Sequence, residues 1–168
     1  LKNCKKVLKE TKCDGIKLEG GRKLNGVIRY LTMNKIPVMG HIGITPQTIR
    51  GKYRYKGKTN LEKKKLIKDS KSLEEAGVFA IVLECVERKL SKQITETVKI
   101  PTIGIGSSKF CDGQILVTDD MLGLTESKIK FVKKYIDLKK NIRQAVKKFK
   151  LDVKKSSYPS IKYCLLYT

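Results

Sequence analysis

Apolar runs alternate along the chain with segments that carry hydrophobic residues at helical spacing. Three of these runs are Gly15–Gly21, Pro37–Gly43 and Phe79–Cys85. A buried parallel strand reads as a nearly continuous hydrophobic run, so the alternation predicts an α/β fold with a parallel sheet. Active sites of such folds lie where the strands end. The polar residues at the predicted strand ends are therefore the candidate functional residues: Lys17, Glu19, His41 and Glu84.

The remaining elements are predicted from the same patterning. Helices are expected near residues 2–13, over Arg22–Asn34, from Asn60 to Gly77, around Leu90, Ile94 and Val98, from Thr125 through Ile129, Val132 and Ile136, and from Asn141 through Phe149. Pro101–Gly106 is predicted as a fourth strand and Gln114–Thr118 as a fifth, and the short spacing between them favours a loop over a crossover helix. A long loop is predicted over Gly43–Thr59.

Five parallel strands joined by helices fit two architectures. One is a closed eight-stranded (β/α)8 barrel and the other is an open, doubly wound sheet. The spacing along the chain does not decide between them. In either case we expect one catalytic domain over residues 1–155, followed by a tail over residues 156–168.

Composition sets the class of protein. A chain of 168 residues with 40% hydrophobic residues suits one ordinary domain. Lys and Arg number 38 against 16 Asp and Glu, a formal net charge of +22. The lysines are spread over nearly every predicted helix and lack interleaved aromatic residues, which favours a solvated surface with salt-dependent, non-specific adhesion over a specific nucleic-acid site.

The cysteines indicate the compartment. They are five in number, widely separated, and form no Cys-x-x-Cys pair, which argues against a disulfide framework or a structural zinc site. No segment is long and apolar enough to span a membrane, and no secretion signal is readable. We therefore expect a cytoplasmic protein, or a mitochondrial one if the source is eukaryotic.

Each candidate residue has two interpretations. Lys17 and Glu19 lie two apart on a strand and share a face, so they could hold an anionic substrate and a divalent metal, or form only a surface salt bridge. His41, the single histidine, could be a catalyst or a structural hydrogen-bonding group. Glu84 follows four apolar residues, where burial would raise its pKa and suit it to proton transfer, unless a lysine neutralises it.

Six ordered motifs extend this interpretation. They are Lys17-Leu-Glu-Gly-Gly21, Gly40-His-Ile-Gly-Ile-Thr-Pro-Gln47, Gly51-Lys-Tyr-Arg54, Val82-Leu-Glu-Cys85, Ile103-Gly-Ile-Gly106 and Asp112-Gly-Gln-Ile-Leu-Val117. In this order and spacing they resemble the ketopantoate hydroxymethyltransferase (3-methyl-2-oxobutanoate hydroxymethyltransferase) family. The resemblance covers about residues 1–160, and the Gly-His-x-Gly-x-Thr-Pro-Gln element is its most specific part.

The resemblance implies a TIM barrel of the phosphoenolpyruvate-utilising, isocitrate-lyase-like group, assembled as a homo-decamer. It implies transfer of a one-carbon unit from 5,10-methylenetetrahydrofolate to 3-methyl-2-oxobutanoate, giving 2-dehydropantoate for pantothenate synthesis, through an enolate that Mg²⁺ stabilises. By position, Lys17 matches the substrate-binding lysine, Glu19 the metal-binding glutamate, Glu84 the proton acceptor, and His41 a histidine that contacts the product hydroxyl.

This chain also departs from the family pattern. It has no counterpart of the family's Asp-Ser pair and further Asp, so we expect about strands 4 to 8 of the barrel and an inactive isolated chain. Ser108 stands where the family commonly has glycine, and the ending Ile161–Thr168 is unlike the family's usual acidic one. Two other classes stay open, namely another metal-dependent lyase or mutase of the same barrel group and a non-catalytic basic binding fragment.

Overall fold

A computed structural model describes residues 1–47, 54–126 and 129–164. The chain divides into two compact units, Leu1–Ile115 and Leu116–Thr168. The predicted long loop lies partly outside the described residues, because residues 48–53 of it are not included. The predicted domain limits, 1–155 and 156–168, stay a prediction.

The first unit alternates helices and strands from its first residues onward. Its elements are α1 (Lys2–Thr11), β1 (Ile16–Glu19), a 3₁₀ turn (Arg22–Leu24), α2 (Asn25–Met33), β2 (Val38–Gly43), α3 (Asn60–Glu75), β3 (Ala80–Glu84), α4 (Arg88–Thr97), β4 (Thr102–Ile105) and β5 (Gly113–Gln114). The first four predicted strands and the helices between them are confirmed, with no end shifted by more than three residues.

Local sequence explains where α3 begins and ends. Thr59 accepts a hydrogen bond from the backbone N–H of Glu62, and the Glu62 carboxylate accepts from the N–H groups of Gly57 and Lys58. The first bond satisfies a donor that a helix start leaves unpaired, and the other two fix the residues that precede the helix. Gly77 follows the last turn with φ +86, a conformation that glycine adopts without strain. The cap is therefore Thr59, one residue before the predicted Asn60.

The strands form one parallel sheet in the order β1-β2-β3-β4-β5. Neighbours in the sheet are neighbours along the chain, with no reversal of order. A doubly wound sheet reverses its strand order at a switch point, whereas the strands of a (β/α)8 barrel follow one another in sequence. The observed order therefore decides against the doubly wound alternative and agrees with a TIM-barrel-like family.

The two faces of this sheet differ in chemistry. One face packs with α2, α3 and α4 into the hydrophobic core, and its residues in the first three strands are Ile16, Leu18, Val38, Ile42, Ile81 and Leu83. Side chains alternate between faces along a strand. The opposite face consequently carries Lys17, Glu19, Met39, His41, Val82 and Glu84. In a barrel that face is the interior.

The predicted fifth strand is wrong in its length. β5 comprises only Gly113–Gln114, and Thr118 begins a short helix, α5 (Thr118–Met121). The last ladder bond runs from the N–H of Ile115 to the carbonyl of Gly104, 3.0 Å away. Asp119 and Asp120 then lie in the first turn of α5, where the helix dipole favours acidic residues. The predicted short connection between β4 and β5 is confirmed, since no helix occurs between them.

The helix predicted from Thr125 through Ile129, Val132 and Ile136 is also wrong, because residues 129–137 form no helix. The Tyr135 N–H instead donates to the carbonyl of Met121 in α5 at 2.9 Å. The N–H of Leu138, the first residue of the next helix, donates to the carbonyl of Leu122, directly after α5, at 3.0 Å. The next helix, α6, spans Leu138–Lys154, and Asp137 caps it where Asn141 was predicted. A 3₁₀ turn follows at Ile161–Tyr163.

All five cysteines are free thiols. In the described ranges, no helix combines the length and the hydropathy that a bilayer span requires.

Candidate functional site

The four candidate residues converge on one face of the sheet, at the carboxyl ends of β1, β2 and β3. Lys17 Nζ lies 3.5 Å from Glu19 Oε1 and 3.5 Å from His41 Nδ1. His41 Nδ1 lies 3.6 Å from Glu19 Oε1, and its Nε2 lies 3.2 Å from Glu84 Oε2. His41 is therefore the centre of a cluster drawn from three strands.

Strand register brings these residues together. Glu19 pairs with His41 across β1 and β2, and Gly43 pairs with Glu84 across β2 and β3. Neighbouring strands lie about 4.8 Å apart, so side chains in register on one face come within contact distance. The sheet thus brings together residues that are 22 and 41 positions apart in the sequence.

His41 is buried and has an unsatisfied ring nitrogen. The side chain is 1% exposed, and burial and then the Lys17 charge lower its pKa, against the opposing effects of Glu19 and of the Ile44 backbone. The neutral ring accepts at Nδ1 from Lys17, which can only donate, and so carries its proton on Nε2. Nε2 and Glu84 are close but not aligned for a hydrogen bond, so Nε2 has no hydrogen-bond partner among the described residues.

The surroundings of the Glu84 carboxylate favour its protonation, as is expected of a general base. Burial, and then the negative charge of Glu19, raise the pKa of its carboxyl, while Lys17 opposes the shift. Its side chain is 18% exposed and so remains accessible. Burial and Glu84 also raise the pKa of the Cys85 thiol, which keeps that neighbour protonated and makes it a poor nucleophile.

Glu19 is held by groups on several sides. Its Oε2 accepts from the backbone N–H of Gln47 at 3.0 Å, while Oε1 faces Lys17 and His41. Gln47 belongs to the most specific motif, yet the sequence indicated no role for it.

The fit of a magnesium ion rests on Glu19. No group of three or more His, Cys, Asp or Glu side chains within the described ranges is arranged to hold a metal. Magnesium is commonly bound by one or two carboxylates together with substrate and water. The described residues therefore fit one ligand of a magnesium ion and not a complete site.

A buried carboxylate that the sequence analysis missed supports the turn after Glu19. Asp69 of α3 accepts from the backbone N–H and Nε of Arg22, both at 3.2 Å, and from Lys65 Nζ at 2.6 Å. A Cβ at Gly21 would lie 2.3 Å from Asp69 Cγ, so only glycine permits this approach. The signal was the helical spacing of Asp69 with Leu66 and Leu73, which placed it on the buried side of α3.

The same turn borders a cavity of about 670 Å³. Glu19, Lys23, Thr45, Lys65 and Asp69 are among the residues that line it. Volumes of this order are typical of small-molecule sites. Of the four cluster residues only Glu19 lines the cavity, so a ligand there would meet the cluster at Glu19.

Because His41 is the single histidine, its titration can be followed without assignment. We expect its ring protons to titrate below the ordinary pKa of 6.5, and the substitution Lys17→Met to raise that pKa by removing a positive neighbour. A lowered folded-state pKa means that stability is complete above pH 6.5 and declines as pH falls through the folded pKa. Proton NMR of the ring measures the pKa directly.

The matched control for this titration is Lys68→Met, which removes an exposed lysine from α3 far from the cluster in sequence. It should leave the His41 pKa unchanged. A histidine that titrates at 6.5 or above in the unsubstituted chain, or that ignores Lys17→Met, would show that the cluster is not assembled as described.

Comparisons with known proteins agree on one family. The profile described as Ketopantoate hydroxymethyltransferase matches residues 1–161. The 3-methyl-2-oxobutanoate hydroxymethyltransferase of Pelagibacter ubique is 55% identical over 97% of this chain and 63% of its own length. Enzymes of the same name from Helicobacter pylori and Chlorobaculum tepidum are 49% and 45% identical over 95% of this chain and 60% and 59% of their own lengths. The chain thus spans about three fifths of these relatives.

Proposed function

Because the chain belongs to the ketopantoate hydroxymethyltransferase family, we propose that it carries the reacting side chains for hydroxymethyl transfer from 5,10-methylenetetrahydrofolate to 3-methyl-2-oxobutanoate. The product would be 2-dehydropantoate. The observation that carries this proposal is the convergence of Lys17, Glu19 and Glu84 around the buried ring of His41. A surface salt bridge would not require a buried imidazole whose Nε2 has no hydrogen-bond partner in the described part of the chain.

The fold proposal is that β1 to β5 are about strands 4 to 8 of a (β/α)8 barrel. Their parallel, sequential order supports it. Closing an eight-stranded barrel requires three more strands beside the two edges of this sheet. The 168 residues alone would therefore leave the site open to water, and we expect them to be inactive in isolation and to act as part of a cytoplasmic homo-oligomer.

The proposed roles follow from position and charge. The Lys17 ammonium binds the carboxylate of the keto acid. Glu84 takes the proton from C3, and the electron pair left at C3 forms a bond to the methylene carbon of the folate while one bond from that carbon to a folate nitrogen breaks. Water then adds its oxygen to the same carbon as the second carbon–nitrogen bond breaks, and tetrahydrofolate leaves with its nitrogens protonated. The Nε2 proton of His41, unpaired among the described residues, donates to the oxygen of the new hydroxymethyl group.

Glu19 would hold the magnesium ion, together with substrate oxygens and water. When bound, the ion supplies Lewis-acid polarisation of the keto carbonyl. The groups of this chain that orient Glu19 are the Gln47 N–H and the neighbouring Lys17 and His41.

The cavity beside Glu19 is the proposed place for the folate. Its volume of about 670 Å³ is sufficient for a ligand of that class. Lys23 lies on its lining, where it could neutralise a carboxylate of the glutamyl end. Of the four cluster residues only Glu19 lines this cavity, so the folate would approach the cluster from the side of Glu19.

The experiment restores a full-length enzyme. This chain is joined to the part of the Pelagibacter ubique relative that lies outside the match, and the product is called the joined enzyme below. We expect it to convert 3-methyl-2-oxobutanoate and methylenetetrahydrofolate in a magnesium-dependent reaction. The substitution Glu19→Ala should lower turnover by about 100-fold or more and weaken the dependence on magnesium.

Glu10→Ala is the control for this test, because Glu10 is exposed on α1 and pairs only with Lys6 among the described residues. Full activity after Glu19→Ala would overturn the metal role of Glu19. Proton exchange on the keto acid without transfer from folate would instead favour a lyase or mutase of the same barrel group. Tight, sequence-dependent nucleic-acid binding at physiological salt would favour the binding fragment.

A further inference from the structure

The backbone turns sharply directly after the proposed base. Glu84 is the last residue of β3, and Cys85 follows it with φ +51. A residue other than glycine in this left-handed region is strained unless neighbouring groups hold it. Cys85 is held on both sides, because its N–H donates to the Ile105 carbonyl at 2.9 Å and its carbonyl accepts from Lys56 N–H at 2.8 Å.

A serine from the next strand end closes this turn. The Ser107 hydroxyl donates to the Leu83 carbonyl at 2.6 Å and accepts from the Val86 N–H at 3.0 Å. These two backbone groups flank Glu84 and Cys85. One side chain therefore bridges the residue before the base and the residue two positions after it.

We propose that Ser107 is a positioning residue, whose hydroxyl clamps the Leu83–Val86 turn and thereby holds the Glu84 carboxylate against His41. This inference rests on the proposed function, because it requires Glu84 to act as the base. Ser107 itself lies beside the turn, and within the described ranges its hydroxyl hydrogen-bonds to backbone atoms only. Its effect on the reaction is transmitted through Glu84.

Geometry explains why the clamp matters. Glu84 Oε2 lies 3.2 Å from His41 Nε2, so both groups face the same part of the bound substrates. Displacement of a catalytic group by about 1 Å can cost on the order of 100-fold in rate. Without the hydroxyl, the Leu83 carbonyl and the Val86 N–H each lose a partner, and the turn has less to oppose its strained residue.

The test uses the joined enzyme with the variants Ser107→Ala and Ser107→Thr. The alanine variant should exchange the C3 proton of the keto acid into heavy water about 10-fold more slowly, with little change in KM. The threonine variant keeps the hydroxyl and should recover most of the rate. Ser108→Ala is the matched control, since the one hydrogen bond of the Ser108 hydroxyl to a described residue is the bond that it accepts from Phe110 N–H at 3.3 Å. This variant should keep the parent rate.

A second readout separates positioning from general loss of structure. A loosened turn admits water to Glu84 and removes part of the burial that raises its pKa, so the acid limb of the exchange profile should move to lower pH in Ser107→Ala. A variant that is merely less stable would show a lower exchange rate at every pH, and the acid limb of its pH profile would stay in place.

The outcomes also separate this inference from the proposed function. If Glu84→Gln abolishes exchange while Ser107→Ala retains the parent rate and pH profile, the clamp is wrong and the base assignment stands. If Glu84→Gln retains exchange, the proposed role of Glu84 as the base is wrong, and the inference about Ser107 loses its premise. A slow Ser107→Thr variant with an unshifted acid limb would likewise overturn the role of the hydroxyl.

Discussion

Exchange of the C3 proton of 3-methyl-2-oxobutanoate should slow by about 100-fold or more when Glu84 is replaced by glutamine in the joined enzyme. Glutamine keeps the shape of the side chain and its hydrogen-bonding atoms but cannot accept the proton. Binding of the keto acid should persist, because Lys17 and Glu19 are unaltered. The rate is measured by NMR in heavy water and the binding by calorimetry.

The pH dependence of this reaction follows from the same carboxyl. Glu84 must be ionised to act as a base, and its pKa is raised above the ordinary 4.5, so the rate should fall as pH drops through that raised value. A raised folded-state pKa also means that stability is complete below pH 4.5 and is reduced as pH rises through the folded pKa. The glutamine variant should therefore be at least as stable as the parent at neutral pH.

Glu75→Gln is the matched control, since Glu75 is exposed at the end of α3. It should exchange at the parent rate. An undiminished exchange rate in Glu84→Gln would move the base to another residue and remove the main support for the proposed chemistry.

The substitution Gly43→Ala should reduce the free energy of unfolding by about 3 kcal/mol or more. Gly43 has φ +102, and a Cβ there would lie 2.2 Å from the carbonyl oxygen of Glu84 and 2.8 Å from Val86 Cγ2. The same carbonyl accepts from Ile44 N–H at 2.8 Å, so relief of the clash would break the connection between β2 and β3 next to the site. Urea unfolding of the joined enzyme, followed by circular dichroism, measures the loss.

Gly26→Ala provides the comparison. Gly26 lies in α2, and a Cβ there would meet no described atom within 4 Å. Alanine favours helix over glycine, so this variant should be unchanged or more stable by up to about 1 kcal/mol. Equal effects of the two substitutions would contradict the close approach of Gly43 to Glu84.

Much of the site was predictable because adjacent residues in the sequence determine where a strand ends. Each of the first three strands is an apolar run that ends in polar residues, and this pattern places Lys17, Glu19, His41 and Glu84 at one edge of a parallel sheet. The two-residue period also places Lys17 and Glu19 on one face. Neither argument needs a contact between distant residues.

The wrong predictions concern segments in which contacts with distant residues override the local preference for a helix or a strand. Ile129, Val132 and Ile136 have helical spacing, yet the Tyr135 N–H pairs with α5. β5 stops at Gln114 because its ladder with β4 ends there, although the apolar residues continue to Val117. Hydrophobic periodicity cannot register such competition, since the competing partner lies elsewhere in the chain.

The amino-acid sequence by itself determined the α/β class, the positions of the strand ends and the identity of the four polar residues that lie at those ends. Only the tertiary structure decided which strands are neighbours, that Glu19 is in register with His41, and that His41 Nε2 lies 3.2 Å from Glu84 Oε2. It also revealed Asp69 and Ser107 as supports of the turns beside the site. The physical reason is that strand ends depend on adjacent residues, whereas these distances depend on register and packing between segments that the sequence separates by 21 to 47 residues.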